Sequence, residues 1–198
     1  VVSLTELTSG PPRRYVVTGG PSAGKEAVIE AIIKAGLPCS VEEAARAVYK
    51  AHRARLGRHL QREDRRAYSR EVLAAFVAEY QAHTAGVRFY NRGIPDGYGW
   101  DRFFGLDPYP ELETANTRYR YDTVLVLDPL DTFEDEQDVV WAKEREIRRV
   151  HELIVQGYYD AGYSPVFIPA DDPESRLDFI LANLRLARPT VHDPAPQE

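Results

Sequence analysis

The chain of 198 residues has one cysteine, Cys39, and no methionine. A lone thiol excludes an intrachain disulfide and cannot build a zinc site. The five histidines show no metal-ligand spacing. No apolar run reaches the length needed to span a bilayer, and no secretory signal is visible. The expectation is a protein of the reducing cytoplasm with no membrane partner. Without an initiator methionine, the start of the chain is open by a few residues. Positive charge is also short: 25 Lys and Arg face 31 Asp and Glu, a net charge of −6. That balance argues against a broad nucleic-acid surface, though it permits a local basic pocket for phosphates. No internal repeat is present.

Hydrophobic residues make up 43% of the chain and charged residues 28%. This is the mix of a globular domain, and the length suffices for one domain with a sizeable core. Its most informative segment is Gly19-Gly20-Pro21-Ser22-Ala23-Gly24-Lys25. An apolar strand, residues 14–18, runs into it, and a helical stretch, residues 26–35, leaves it with Gly36 as a C-cap. Strand, glycine-rich turn and helix are the context of a phosphate-binding loop. Backbone N–H groups of residues 19–25 approach the phosphates, Lys25 adds a point charge, and the helix N-terminus adds a partial one. An ordinary strand–turn–helix connection needs the glycines but not the lysine. The next position normally carries a Ser or Thr whose hydroxyl ligates Mg²⁺. Here it is Glu26.

The remaining pattern alternates helix and strand. Residues 1–13 read as an arm and 37–40 as an extended piece. A helix is predicted over 41–55, a charge-rich loop and helix start over 58–70, and an amphipathic helix over 71–84. Strands are predicted at 87–90, 122–127 and 164–169. Between the first two, 94–118 reads as irregular, with a short helix at 111–115. An acidic loop at 131–137 precedes a long basic helix over 139–157. A last helix spans 172–186, and the Pro-rich tail, 188–198, reads as disordered. The fold class is therefore α/β: a three-layer P-loop NTPase fold, kinase-like, with a mainly parallel central sheet in a domain of residues 14–187. Nucleotide is expected at the C-terminal ends of the strands.

The order of motifs narrows this further. After the loop come Glu43-Ala44-Ala45-Arg46, Asn91-Arg92-Gly93-Ile94-Pro95-Asp96, Asp138-Val139 opening the basic helix, Tyr159-x-x-Gly162-Tyr163, Val166-x-Ile168-Pro169 and Ser175-Arg176. This order resembles a family of small P-loop proteins described as AAA-type ATPases. In fold and motif layout they lie close to nucleoside and nucleotide kinases, the ribosylnicotinamide kinase domain among them. The resemblance implies ATP or GTP as cofactor, with Mg²⁺, and a small-molecule acceptor. It implies that Gly19, Gly20, Pro21, Ser22, Ala23, Gly24 and Lys25 hold phosphates. The segment after the 87–90 strand should reach the reacting centre, Arg145 and Arg149 should belong to a lid, and the segment at Pro169 should hold the base.

Two positions depart from the family pattern. Glu26 replaces the Mg²⁺-ligating Ser/Thr, and Asn91 replaces the Asp of the usual Asp-Arg-Gly. A carboxylate ~5 Å from a phosphate charge costs about 3 kcal/mol at an effective dielectric near 20. Glu26 therefore either ligates Mg²⁺ itself or turns away to pair with a basic side chain. Asn91 cannot act as a base, and Asp96 is the carboxylate that remains as a substitute catalytic or metal-binding group. Arg92 either contacts substrate or braces its loop. Glu43 and Arg46 either face the acceptor or form a solvated helix pair. Tyr98 and Trp100 either stack on the acceptor or pack in the core. Three functions remain open: a phosphotransferase with a rearranged metal site, a nucleotide-binding sensor without chemistry, and a re-used cleft for another small molecule.

Overall fold

The computed structural model describes residues 4–40, 43–130 and 144–189. The acidic segment 131–137, the Asp138-Val139 opening of the basic helix and the tail from 190 lie outside them.

Four parallel strands form the sheet: β1 (Arg13–Thr18), β2 (Val87–Asn91), β3 (Thr123–Leu127) and β4 (Val166–Ile168), in the order β2-β1-β3-β4. Cys39 makes an isolated parallel bridge to Phe89, so the 37–40 piece runs along the outer side of β2. The strands are short and β-branched or aromatic, and they alternate faces residue by residue. Tyr15, Val17, Phe89, Leu125 and Leu127 enter one apolar core. Val16, Tyr90, Val124 and Val126 enter the other. Burial on both faces is what a parallel sheet requires.

The first core is closed by α2 (Lys25–Lys34) and α8 (Pro173–Leu184), through Val28, Ile32, Leu177 and Ile180. The second is closed by α4 (Arg65–Ala82), α5 (Asp96–Phe103), α6 (Pro110–Arg118) and α7 (Glu144–Asp160). A further helix, α3 (Ala44–Leu56), packs on α4. The result is the three-layer α/β architecture expected. Gly36, with φ of +76°, follows the end of α2 as a C-cap glycine. Asp172 caps α8 by accepting from the backbone N–H groups of Glu174 and Ser175, with Pro173 at the first helical position.

The structure departs from the sequence reading in two places. Residues 4–9 form a helix, α1 (Leu4–Ser9), and Leu7 is only 3% exposed in the first core, so the expected arm is packed on the domain. The α4 helix begins at Arg65, inside the 58–70 stretch read as a loop and helix start. A 3-10 turn at Arg62–Asp64 leads into it, and Asp64 accepts from the backbone of Gln61. The stretch at 96–103, read as irregular, is α5. Its glycines lower helix propensity, but tertiary packing overrides that. A Cβ on Gly99 would stand 2.6 Å from the Cα of Ile154, so this glycine lets α5 and α7 lie almost backbone to backbone.

Candidate functional site

The loop of residues 19–25 leaves the C-terminal end of β1 and delivers Lys25 as the first residue of α2. Ser22 and Gly24 take positive φ, 60° and 70°, which folds the loop back toward the helix. Arg176 of α8 braces it from below. Its guanidinium donates to the carbonyls of Ala23 (2.6 Å), Asp128 (2.8 Å) and Pro169 (3.0 Å), joining the loop to the segments that follow β3 and β4. From above, the Gly20 N–H donates to Nδ1 of His151 on α7 at 3.1 Å. A Cβ on Gly20 would meet the Cβ of His151 at 2.7 Å.

Lys25 is buried. Its Nζ donates to Asn91 Oδ1 at 2.8 Å and to Glu43 Oε2 at 3.0 Å. Burial pulls the ammonium pKa down, and Glu43 pushes it back up. The other oxygen of Glu43 lies 3.0 Å from Nε of Arg92. Burial alone would raise the Glu43 carboxyl, but Arg92 and Lys25 outweigh it and hold its pKa at about 2. Arg92 follows β2 with φ of +71°. Its N–H is tied to the Val17 carbonyl, and its Nη1 donates to Gly19 O (2.9 Å) and Asp96 Oδ1 (3.0 Å). Burial opposes its charge, but Glu43 and Asp96 more than restore it. Two buried cations, the buried Asp96 and the partly exposed Glu43 thus interlock beside the loop.

The candidates read from the sequence separate into two groups. Lys25, Glu43, Asn91, Arg92 and Asp96 are brought together. Asp96, however, is only 1% exposed, and both of its oxygens are engaged. Oδ1 accepts from Thr18 and Arg92, and Oδ2 accepts from the Gly93 N–H and from the Tyr158 hydroxyl at 2.5 Å. It anchors the 91–96 loop and offers no free lone pair to a substrate or metal. Glu26 turns outward, 53% exposed, and pairs with Arg46 at 2.5 Å, the second of its two alternatives.

Tyr98 is buried against Gly157, away from the cavity, whereas Trp100 lines it. Arg145 and Arg149 are exposed on α7, and the α7 side chain that reaches the loop is His151. Pro169 is exposed and spends its carbonyl on Arg176. The sequence reading missed His151 and Arg176 as loop supports. Arg176 stood in the motif order with no role, and His151 had no local signal.

A cavity of about 810 Å³ opens from the loop between α3, α4 and α5. Lys25, Glu43 and Arg92 stand on its wall, and Val72, Leu73, Phe76, Ile94 and Leu112 give it an apolar floor. Burial in this wall pushes the Tyr68 phenol above its ordinary range, and its hydroxyl donates to the Ala45 carbonyl. A phosphate-sized anion at the loop and a small molecule in the cavity would meet at Lys25 and Arg92. The arrangement suits transfer between two such ligands.

Known proteins share this outline. The pattern of a family described as an AAA domain matches residues 14–176. No curated protein matches the sequence. Deoxyadenosine kinase from M. mycoides, solved with dCMP and dCDP, superposes with a TM-score of 0.62 at 14% identity, over 87% of this chain and 98% of that one. NadR in complex with NR gives 0.62 at 16% identity, over 92% of this chain and 54% of the NadR chain. Thymidylate kinase from Ehrlichia chaffeensis gives 0.60 at 10%, over 88% and 99%. At these identities the likeness is one of fold.

Proposed function

This chain belongs to the AAA domain family and has the fold of the P-loop nucleoside kinases, and from that premise we propose that it is a nucleotide-dependent phosphotransferase acting on a small-molecule acceptor. The observation that carries this is the position of Lys25, on the wall shared by the 19–25 loop and the 810 Å³ cavity. Donor phosphates of ATP or GTP would lie on the loop N–H groups and Lys25. The acceptor would enter the cavity with a hydroxyl toward Glu43 and Arg92.

Phosphoryl transfer passes through a loose transition state, so positioning and charge stabilisation dominate. Lys25 and Arg92 supply the positive charge. Glu43 is too acidic, with a pKa of about 2, to be an effective base near neutral pH. Its part is to accept a hydrogen bond from the acceptor hydroxyl and aim it at the phosphorus.

A resident Mg²⁺ does not fit the described residues. Glu26 is drawn off by Arg46, Asn91 is neutral, the oxygens of Asp96 are taken, and no cluster of three metal-ligating side chains occurs among them. No step is therefore assigned to a protein-held metal.

A second reading, nucleotide binding without turnover, is favoured by the lock of Lys25 onto Glu43 and Asn91. One experiment separates the two. Binding of ATP and GTP, with and without Mg²⁺, is measured by titration, and turnover is measured over a panel of acceptors. Turnover that is abolished by Lys25→Ala supports the transferase. Binding that is lost in Lys25→Ala, with no turnover by the wild type, supports the sensor. Absence of nucleotide binding overturns both.

A further inference from the structure

The carboxylates that line the cavity are all matched. Glu26 has Arg46, Glu43 has Lys25 and Arg92, Asp96 has Arg92, and Asp101 has Arg66 at 2.9 Å. Two lining cations, Arg53 and Arg65, have no carboxylate within 4 Å among the described residues. Arg53 is exposed at the rim, whereas Arg65 is half-buried. The Arg65 guanidinium carbon stands over the Phe104 ring, 3.7 Å from its centroid.

Stacking on its face leaves a guanidinium's in-plane N–H groups free to form a two-pronged grip on an oxyanion. Burial lowers the Arg65 pKa, and the through-space pull of Tyr68, Tyr49 and Asp64 only partly offsets it.

An aromatic strip joins this arginine to the reacting end of the site. Phe104 stacks on Trp100 at 6.1 Å and 19°, and Trp100 lies 5.6 Å below the guanidinium of Arg92. A ligand laid along the strip would have one end at Arg92 and Glu43 and the other at Arg65.

We propose that the molecule held in this cavity carries an oxyanion, a phosphate monoester or a carboxylate, on a flat apolar body, and that Arg65, stacked on Phe104, reads that anion. The proposal rests on the transferase reading only in calling that molecule the acceptor. A neutral or cationic acceptor would leave two arginines of the wall without an ion-pair partner among the described residues, one of them half-buried. Trp100 and Phe104 cover the flat body, and the apolar floor excludes water beneath it.

The test is calorimetric titration of the wild type with phenyl phosphate, benzoate and benzyl alcohol, which share one ring. At least one anion is expected to bind at least about tenfold more tightly than the alcohol, the worth of one charge-assisted hydrogen-bonded pair. Preference for both anions assigns the site to oxyanions in general, and preference for one names the source. Arg65→Gln is expected to remove most of the preference. Arg65→Lys, which keeps the charge but loses the fork, should keep only part of it, and this variant decides if Arg65→Gln lacks a normal thermal transition.

Three results overturn the proposal: no binding of either anion, equal binding of all three probes, or a preference unchanged in the folded Arg65 variants. Titration with a non-hydrolysable ATP analogue separates the two readings. If the analogue fails to bind while the anion preference stands, the donor reading fails and the anion site remains.

Discussion

Asp96 shows how one side chain changes meaning between sequence and structure. By spacing it is the carboxylate that replaces a missing catalytic Asp. By geometry it is the keystone of the 91–96 loop, accepting from Thr18, Arg92, Gly93 and Tyr158. Asp96→Asn keeps the shape but removes the charge that faces Arg92 and turns acceptors into donors. Breaking such a buried pair from one side costs about 3–5 kcal/mol. The expected result is a urea midpoint lowered by that free energy divided by the slope, with the slope unchanged. A nearly unchanged midpoint would return Asp96 to the list of functional carboxylates. Glu26 moved the other way. Its pair with Arg46 is exposed and contributes little to stability; under the proposed function the pair draws the carboxylate's charge away from the phosphates.

At the scale of elements, the contact between α5 and α7 sets the site. It fixes Trp100 on one side and brings His151 down on the loop on the other. Gly99 permits the approach. Gly99→Ala places a methyl against the backbone of Ile154 and is expected to cost about 1–3 kcal/mol by overpacking, read as a lowered melting temperature.

The grip of α7 on the loop depends on pH. Burial lowers the His151 pKa below its ordinary 6.5, against the opposing pull of Asp128 and Glu152. The neutral ring accepts from Gly20 at Nδ1, and the protonated ring cannot. A depressed folded-state pKa means that stability is present above the unfolded value and is lost as pH falls from about 6.5 toward the folded value. His83 shifts in the same direction, also through burial. The difference between wild type and His151→Asn therefore isolates the α7 contribution. Stability curves of the two over pH 7 to 5 should converge on acidification, and parallel curves would refute the role of His151.

At the scale of the molecule, the site stands where the C-terminal ends of the strands meet three helices from separate parts of the chain. Arg176 ties this region together, with three carbonyls from three connections on one guanidinium that is 2% exposed. Arg176→Ala orphans all three and is expected to cost on the order of 3 kcal/mol. Arg176→Lys should not rescue it, because a point charge cannot span the fork. Nucleotide titration should weaken in step with the loss of stability.

Much of this was legible in the residues themselves. The strand, glycine turn and lysine at 15–25 form a local pattern, because a phosphate loop is built from consecutive backbone groups. The runs at 87–90 and 122–127 announce strands, the second of the kind buried on both faces, and Asp172-Pro173 announces a helix start, since capping is settled within a few residues. The meaning of long-range pairs was not legible. Whether Asp96 serves a substrate or a loop depends on Tyr158, 62 positions away. Whether 96–103 is helical depends on a glycine meeting α7, and whether Trp100 or Tyr98 faces the cavity depends on the rotation that this contact imposes. The sequence by itself determined the fold class and the loop, because these follow from local periodicity and turn chemistry. Only the tertiary structure decided which charges are paired and which cation is left over, because pairing is set by distances between residues far apart in the chain.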